Sequence, residues 1–265
     1  MIANFKVMKT QAVKTTLKTL LGIAALTASA VSAHAGNIPI SFTGWNADVI
    51  AEKTAGSPAA GTNTSLGTYW SLYEAGAPGL GAVQGLTSSS FTSALDGTTQ
   101  FQFASYTSNN AVNNTGTLTL VTPGKYSNLS FLVQGINNSP AFSVTLNYSD
   151  LTSTVLTGST PNWTDTGSGQ VALSNFGLIG NIGATNTWNY FNYTGSIALF
   201  QSNFAANSAK TLTSIGFAKT SGDQVALFAV SGTAAAVSGV PEPATFAMLG
   251  FGLVALGTVA RRKNS

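Results

Sequence analysis

The chain has 265 residues, no cysteine and one histidine, His34, and its eleven Lys and Arg outnumber eight Asp and Glu. The basic residues sit at the two ends, so the stretch from Gly36 to Val240 keeps four lysines against seven acids, a net −3. That distribution excludes the clustered cations a nucleic-acid reader needs, and a body without Cys or His cannot build a Ser-His-Asp triad, a Cys-His dyad or an ordinary zinc site.

Residues 1–35 read as a cleavable secretory signal. Lys6, Lys9, Lys14 and Lys18 form a positive n-region and Leu20 to Val31 an apolar h-region, while Ala33 and Ala35 place small residues ahead of a cut before Gly36. Met8 is an alternative start, because MKTQAVKTT still makes a good n-region. The implied partners of this segment are the Sec machinery and signal peptidase, and His34 is removed with it.

From Gly36 the texture changes to Ser, Thr, Asn and Gly interleaved with β-branched and aromatic residues. Strands are predicted at Ile38 to Phe42, Tyr69 to Tyr73, Phe101 to Tyr106, Thr117 to Val121, Leu129 to Gln134, Phe142 to Tyr148, Thr152 to Leu156, Tyr190 to Tyr193, Ile197 to Phe200, Leu212 to Phe217 and Val225 to Val230. Period-two alternation between Gly, Asn, Pro and Asp punctuation is the mark of half-buried strands, and many such strands without an amphipathic helix predict one all-β domain over 36–230, an antiparallel β-sandwich or jelly roll. The segment Gly56 to Gly97 is weaker and reads as a long irregular excursion. Residues 231–239, SGTAAAVSG, read as a small-residue linker.

Three groups of side chains are candidates for chemistry. Trp163, Trp188, Tyr190 and Tyr193 could form a stacking platform for sugar rings, with Asn186, Asn189 and Asn192 interleaved; filling the sandwich core is the competing role. Asp150, Asp165 and Asp223 sit in predicted loops and are the candidate calcium ligands, against a plain turn-forming role. A glycosidase needs two carboxylates and no histidine, but the seven acids show no motif, so the expectation is a body without catalysis.

The last 26 residues, Val240 to Ser265, are the most specific stretch. Pro241, Glu242 and Pro243 precede an uncharged run from Ala244 to Ala260, long enough to cross a bilayer core as a helix, and Arg261, Arg262 and Lys263 stop it. The two prolines hold the backbone extended, so Glu242 is presented outside any helix. This order of elements resembles the PEP-CTERM sorting signal of Gram-negative bacteria. The resemblance implies an exosortase, an integral-membrane cysteine protease, as partner, transient anchoring in the inner membrane, and release to the cell surface or the extracellular matrix. It also implies an association with exopolysaccharide in biofilm or floc.

A second resemblance lies in the body. Tyr126 to Leu132, Ser143 to Asp150 and then Asn162-Trp163 are similar to the strand run of galactose-binding-like jelly rolls, with Leu151 where that pattern carries Gly and Asn162 where it carries Asp. It implies a fold shared with carbohydrate-binding modules. The sequence therefore points to an exported, non-enzymatic surface or matrix protein, with a carbohydrate-binding module and a secreted hydrolase as alternatives.

Overall fold

Alternation of apolar and hydroxylated residues sets the architecture. In Ala141–Tyr148 the side chains of Phe142, Val144, Leu146 and Tyr148 are buried while Ser143, Thr145 and Asn147 turn to the other face. Elsewhere the alternation disappears: in Gln224–Ala234 every residue from Gln224 to Gly232 is buried, and in Tyr126–Ile136 every residue from Leu129 onward. Strands buried on both faces need a layer on each side.

The computed structural model describes residues 36–52, 66, 70–76, 85–181, 188–189 and 197–236. The chain from Ala35 to Ala236 forms one unit. Its strands are β1 (Ile38–Pro39), β2 (Phe42–Thr43), β3 (Ile50–Ala51), β4 (Trp70–Tyr73), β5 (Ser90–Thr92), β6 (Gln100–Gln102), β7 (Val112–Asn113), β8 (Thr115–Gly124) and β9 (Tyr126–Ile136). They continue as β10 (Ala141–Tyr148), β11 (Ser153–Ser159), β12 (Val171–Phe176), β13 (Ile179–Asn181), β14 (Trp188–Asn189), β15 (Ile197–Ala205), β16 (Leu212–Ser221) and β17 (Gln224–Ala234).

A six-stranded sheet runs β1-β17-β9-β15-β12, with β7 also on β17, and a five-stranded sheet runs β11-β10-β16-β8-β2. The chain crosses from one sheet to the other at β8 to β9, β9 to β10, β15 to β16 and β16 to β17, which makes the fold all-β, antiparallel and jelly-roll-like. Between these sheets lies one core, with Phe131, Val133, Phe200 and Leu227 facing Phe142, Leu146, Ile215 and Phe217. Phe142 and Phe217 pack with ring centroids 5.2 Å apart.

The opposite face of the six-stranded sheet is covered as well. Leu132, Ile136, Leu199 and Phe228 form a second core with Ile50, Leu72, Phe101, Phe103 and Trp163. These come from the β5-β6 hairpin, the small β14-β13-β4-β3 sheet and the segment after β11. A register shift between Leu227 and Ala229 turns both Phe228 and Ala229 toward this second core. The third layer was not foreseen in the sequence, where Leu129 to Gln134 and Val225 to Val230 read as half-buried alternating strands, and it is why β9 and β17 are buried on both faces.

Two further differences concern boundaries. β3, β5, β7, β12, β13 and β14 fall outside the predicted strands, and β17 runs four residues into the stretch 231–239 read as linker. Ser231 is buried, Gly232 pairs with both Ile38 and Leu129, and a Cβ on Gly232 would lie 2.6 Å from the Tyr126 ring. The small residues here are small because they pack.

A polar network ties the chain's beginning to this last strand. Asn37 donates to Ser130 Oγ at 2.7 Å and Thr99 Oγ1 at 3.1 Å, and it accepts from Thr233 Oγ1. Gln201 and Thr99 both donate to Asp96 Oδ2, at 2.8 and 2.7 Å. Burial would raise the Asp96 carboxyl, but hydrogen bonds from Thr99, Thr98 and Gln201 outweigh it and hold the group well below the usual carboxylate range.

The turn from β10 to β11 keeps the shape that the jelly-roll resemblance leads one to expect, without its glycine. Leu151 occupies the left-handed region at φ 63° and is 98% exposed, so its side chain contributes no packing to offset the backbone cost. That cost is about 1–2 kcal/mol for a residue with a Cβ, partly cancelled by the entropy glycine loses on folding. Leu151→Gly should therefore raise stability by about 0.5–1 kcal/mol, read as a higher denaturant midpoint at unchanged slope.

Candidate functional site

The described surface carries a groove of about 470 Å³ whose chemistry starts from two adjacent strands. β3 and β4 run parallel, Ile50 beside Leu72 and Ala51 beside Tyr73. The next pair in that register is Glu52 and Glu74, and the Glu74 amide donates to the Ala51 carbonyl at 2.8 Å. Strand spacing sets such backbones about 4.8 Å apart, and paired residues share a face, so two carboxylates stand side by side on one wall.

The facing residues come from the β5-β6 hairpin and the turn after it. Phe103 N–H donates to Ser89 O at 2.8 Å, Tyr106 OH donates to Ser88 O at 3.1 Å, and Ser105 and Thr107 share a hydroxyl hydrogen bond of 2.9 Å. Leu86, Phe103 and Tyr106 are buried under this wall. Burial, with the Glu74 charge adding to it, pushes the Tyr106 phenol far up, so it acts as a hydrogen-bond donor across the ordinary pH range.

Glu52 is 3% exposed, and its Oε2 has no hydrogen-bond partner. Burial raises its carboxyl above the usual range, and the Glu74 charge adds to the rise. Behind it lies Asp48, 2% exposed, which accepts from Asn110 Nδ2 at 2.8 Å, while Asn110 Oδ1 accepts from Val49 N–H at 3.0 Å. Burial first, then the Glu52 charge, push Asp48 up to about 7 against the Asn110 hydrogen bond.

The residues singled out in the sequence lie elsewhere. Trp163 is 7% exposed in the second core, edge-on to Trp70 at a ring-centroid distance of 6.1 Å, and its backbone bridges Gly135 and Ala198. It therefore presents no stacking platform, because its ring is packed on the sheet. Trp188 lies on β14 with its side chain outside the described residues, and Tyr190 and Tyr193 also lie outside them.

The three candidate calcium aspartates are not brought together. Asp150 accepts from Thr152 Oγ1 at 2.6 Å and pairs with Lys210 at 2.9 Å; these contacts, Thr152 foremost, bring its carboxyl down to about 2. The Asp165 and Asp223 backbone carbonyls accept from Ser168 N–H and Lys219 Nζ in separate turns. Among the described residues no three Asp, Glu, His or Cys are grouped to hold a metal. Gly36 is exposed at the start of the body, whereas Ala33, Ala35, Pro241, Glu242, Pro243, Arg261, Arg262 and Lys263 lie outside the described residues.

Sequence reasoning passed over Asp48, Glu52 and Glu74. The available signal was their setting: Asp48 and Glu52 bracket the apolar triplet VIA, and Glu74 follows WSLY, so each is an acid at the edge of a short strand.

The Asp48 environment makes stability depend on pH with a definite sign. A carboxyl raised in the folded state binds its proton more tightly there than in the unfolded chain, so the stabilisation is full below the ordinary value near 3.8 and is lost as pH rises through about 7. Asp48→Asn keeps the shape and removes the titration. Its melting temperature should fall less between acid and neutral pH than that of the parent chain, in paired thermal scans across that window.

Comparison with known proteins adds one finding. A family described as the PEP-CTERM protein-sorting motif matches residues 239–263. No curated protein and no solved structure matches the chain. The chain thus carries a PEP-CTERM sorting motif, which implies export, transient membrane anchoring and processing by an exosortase.

Proposed function

We propose that the chain is a cell-surface or extracellular-matrix protein that works without catalysis and is associated with exopolysaccharide. The carrying observation is the sorting motif at 239–263, placed directly after a body with its own double core. The signal segment, the Sec machinery and signal peptidase bring the chain across the inner membrane; exosortase processing then frees it to the surface.

The outer face of the five-stranded sheet supports the polysaccharide part of the reading. Ser143, Thr145 and Asn147 on β10 are paired with Thr157, Val155 and Ser153 on β11 and with Ala218, Gly216 and Ser214 on β16. Those β16 residues pair in turn with Thr115, Thr117 and Thr119 on β8. Small hydroxyl and amide groups across four strands, without a charged side chain among them, suit a hydrated glycan by hydrogen bonding. Buried Trp163 removes one aromatic from the alternative of a stacking-type binding module.

In affinity electrophoresis, the mature protein recovered from the producing cells should be retarded in gels containing their exopolysaccharide; unchanged mobility would overturn the association. Sorting is tested separately by Glu242→Ala. The variant should accumulate in the membrane fraction with its tail uncleaved, and normal processing would sink the exosortase step.

A further inference from the structure

We propose that β11 is an edge for self-association, at which two copies of this chain pair antiparallel about a two-fold axis through Leu156 and join their five-stranded sheets into one. The pairing requires neither the sorting motif nor an association with polysaccharide.

β11 lacks the devices that close the other sheet ends. An exposed strand edge is a row of unmet N–H and C=O groups, and folds blunt it with short strands, irregular pairing, covering loops, proline or charge. β1, β2 and β7 have two residues each. β12 is longer, but its register with β15 shifts twice, and its Ala172 carbonyl accepts from Ala94 N–H at 2.8 Å, so the turn after β5 covers that edge. β11 runs seven residues in unbroken register with β10, from Ser153 opposite Asn147 to Ser159 opposite Ala141. It holds neither proline nor charge, and among the described residues nothing pairs with its other side.

The alternation of the ladder identifies the free groups. Tyr148 N–H donates to Thr152 O at 3.0 Å at one end, and Thr160 N–H donates to Pro140 O at 3.1 Å at the other. Between them the register is continuous, so Thr154, Leu156 and Gly158 also turn their backbone groups toward β10. Ser153, Val155, Thr157 and Ser159 therefore turn theirs outward, and all four residues are exposed.

This row is its own complement. Set antiparallel to a second β11 about Leu156, Ser153 meets Ser159 and Val155 meets Thr157, so every outward N–H and C=O of the strand finds a partner. An axis one residue away leaves Ser153 or Ser159 without one. The same alignment brings Leu156, half-buried at the margin of the core it packs against, up to its mate. An unrelated strand can meet the backbone groups, but it supplies neither the matched row nor the facing leucine, which is what selects a second copy. No charge stands on either strand to oppose the approach, although the body is net −3. The far end of the sheet is β2, too short to extend it, so association closes at a dimer and does not run on into a fibre.

The test is sedimentation velocity of the mature protein over a concentration series. The parent chain should pass from monomer to dimer as concentration rises. Val155→Lys should raise the dissociation constant at least about tenfold, because the two-fold axis sets the two introduced charges diagonally across the new strand pair. Val121→Lys changes a residue of similar exposure, 60% against 62%, on β8 and should keep the parent's dimer. Thermal melts at a dilution where the parent is monomeric should coincide for parent and Val155→Lys, which separates lost association from lost folding. The register is read by cross-linking. The chain has no cysteine, so Leu156→Cys supplies one thiol per copy, and oxidation with copper phenanthroline should convert it to a covalent dimer while Val121→Cys stays monomeric. A parent that remains monomeric throughout would overturn the proposal, as would a dimer that survives Val155→Lys, one that is lost in Val121→Lys, or equal cross-linking at positions 156 and 121.

Discussion

The ladder between β9 and β17 is the constraint on which the rest depends. It runs from the Gln224–Ile136 pair to the Ala234–Tyr126 pair, and both strands are buried over most of its length. Backbone groups there have no access to water, so each strand must satisfy the other's amides and carbonyls. Once the ladder exists, its two faces must be covered. The five-stranded sheet closes one and the hairpin and small sheets close the other, which is why short strands of two to four residues can persist in the second layer.

Several polar residues inside this frame pair with one another. Ser130, Thr99 and Gln201 are buried but linked through Asn37, Asp96 and Asn203. The contrast with Glu52 is informative. Asp96 accepts four hydrogen bonds, from Thr98 N–H, Thr99 N–H, Thr99 Oγ1 and Gln201 Nε2, and ionises readily, whereas Glu52 has Oε2 bare and a like-charged neighbour. The fold can satisfy a buried carboxylate, and at the groove it leaves one unsatisfied.

How much of this was legible in the sequence depended on periodicity. β10 announced itself through FSVTLNY, because one face meets a core and the other meets water. β17 was found but cut short, since SGTA has the composition of a linker and only the close approach of Tyr126 and Ile40 to Gly232 explains it. β12 and the two-residue strands β3 and β7 were missed because their pairing is set by neighbours far away in the chain and not by local pattern. The tail was readable as a linear signal, for which order and composition suffice. The carboxylate pair was not readable: Glu52 and Glu74 are 22 positions apart and become neighbours only through a parallel register.

The position of β17 has a consequence for how the fold is completed. β17, an interior strand between β9 on one side and β1 and β7 on the other, is also the last of the described strands, and β1 is the first. A chain that stopped before Gln224 would lack the strand that places Val225 and Leu227 in one core and Phe228 and Ala229 in the other, so neither core is complete without it. The strand ends at Ala234, five residues before the sorting motif begins at 239. Completion of the fold thus depends on the same end of the chain that carries its address.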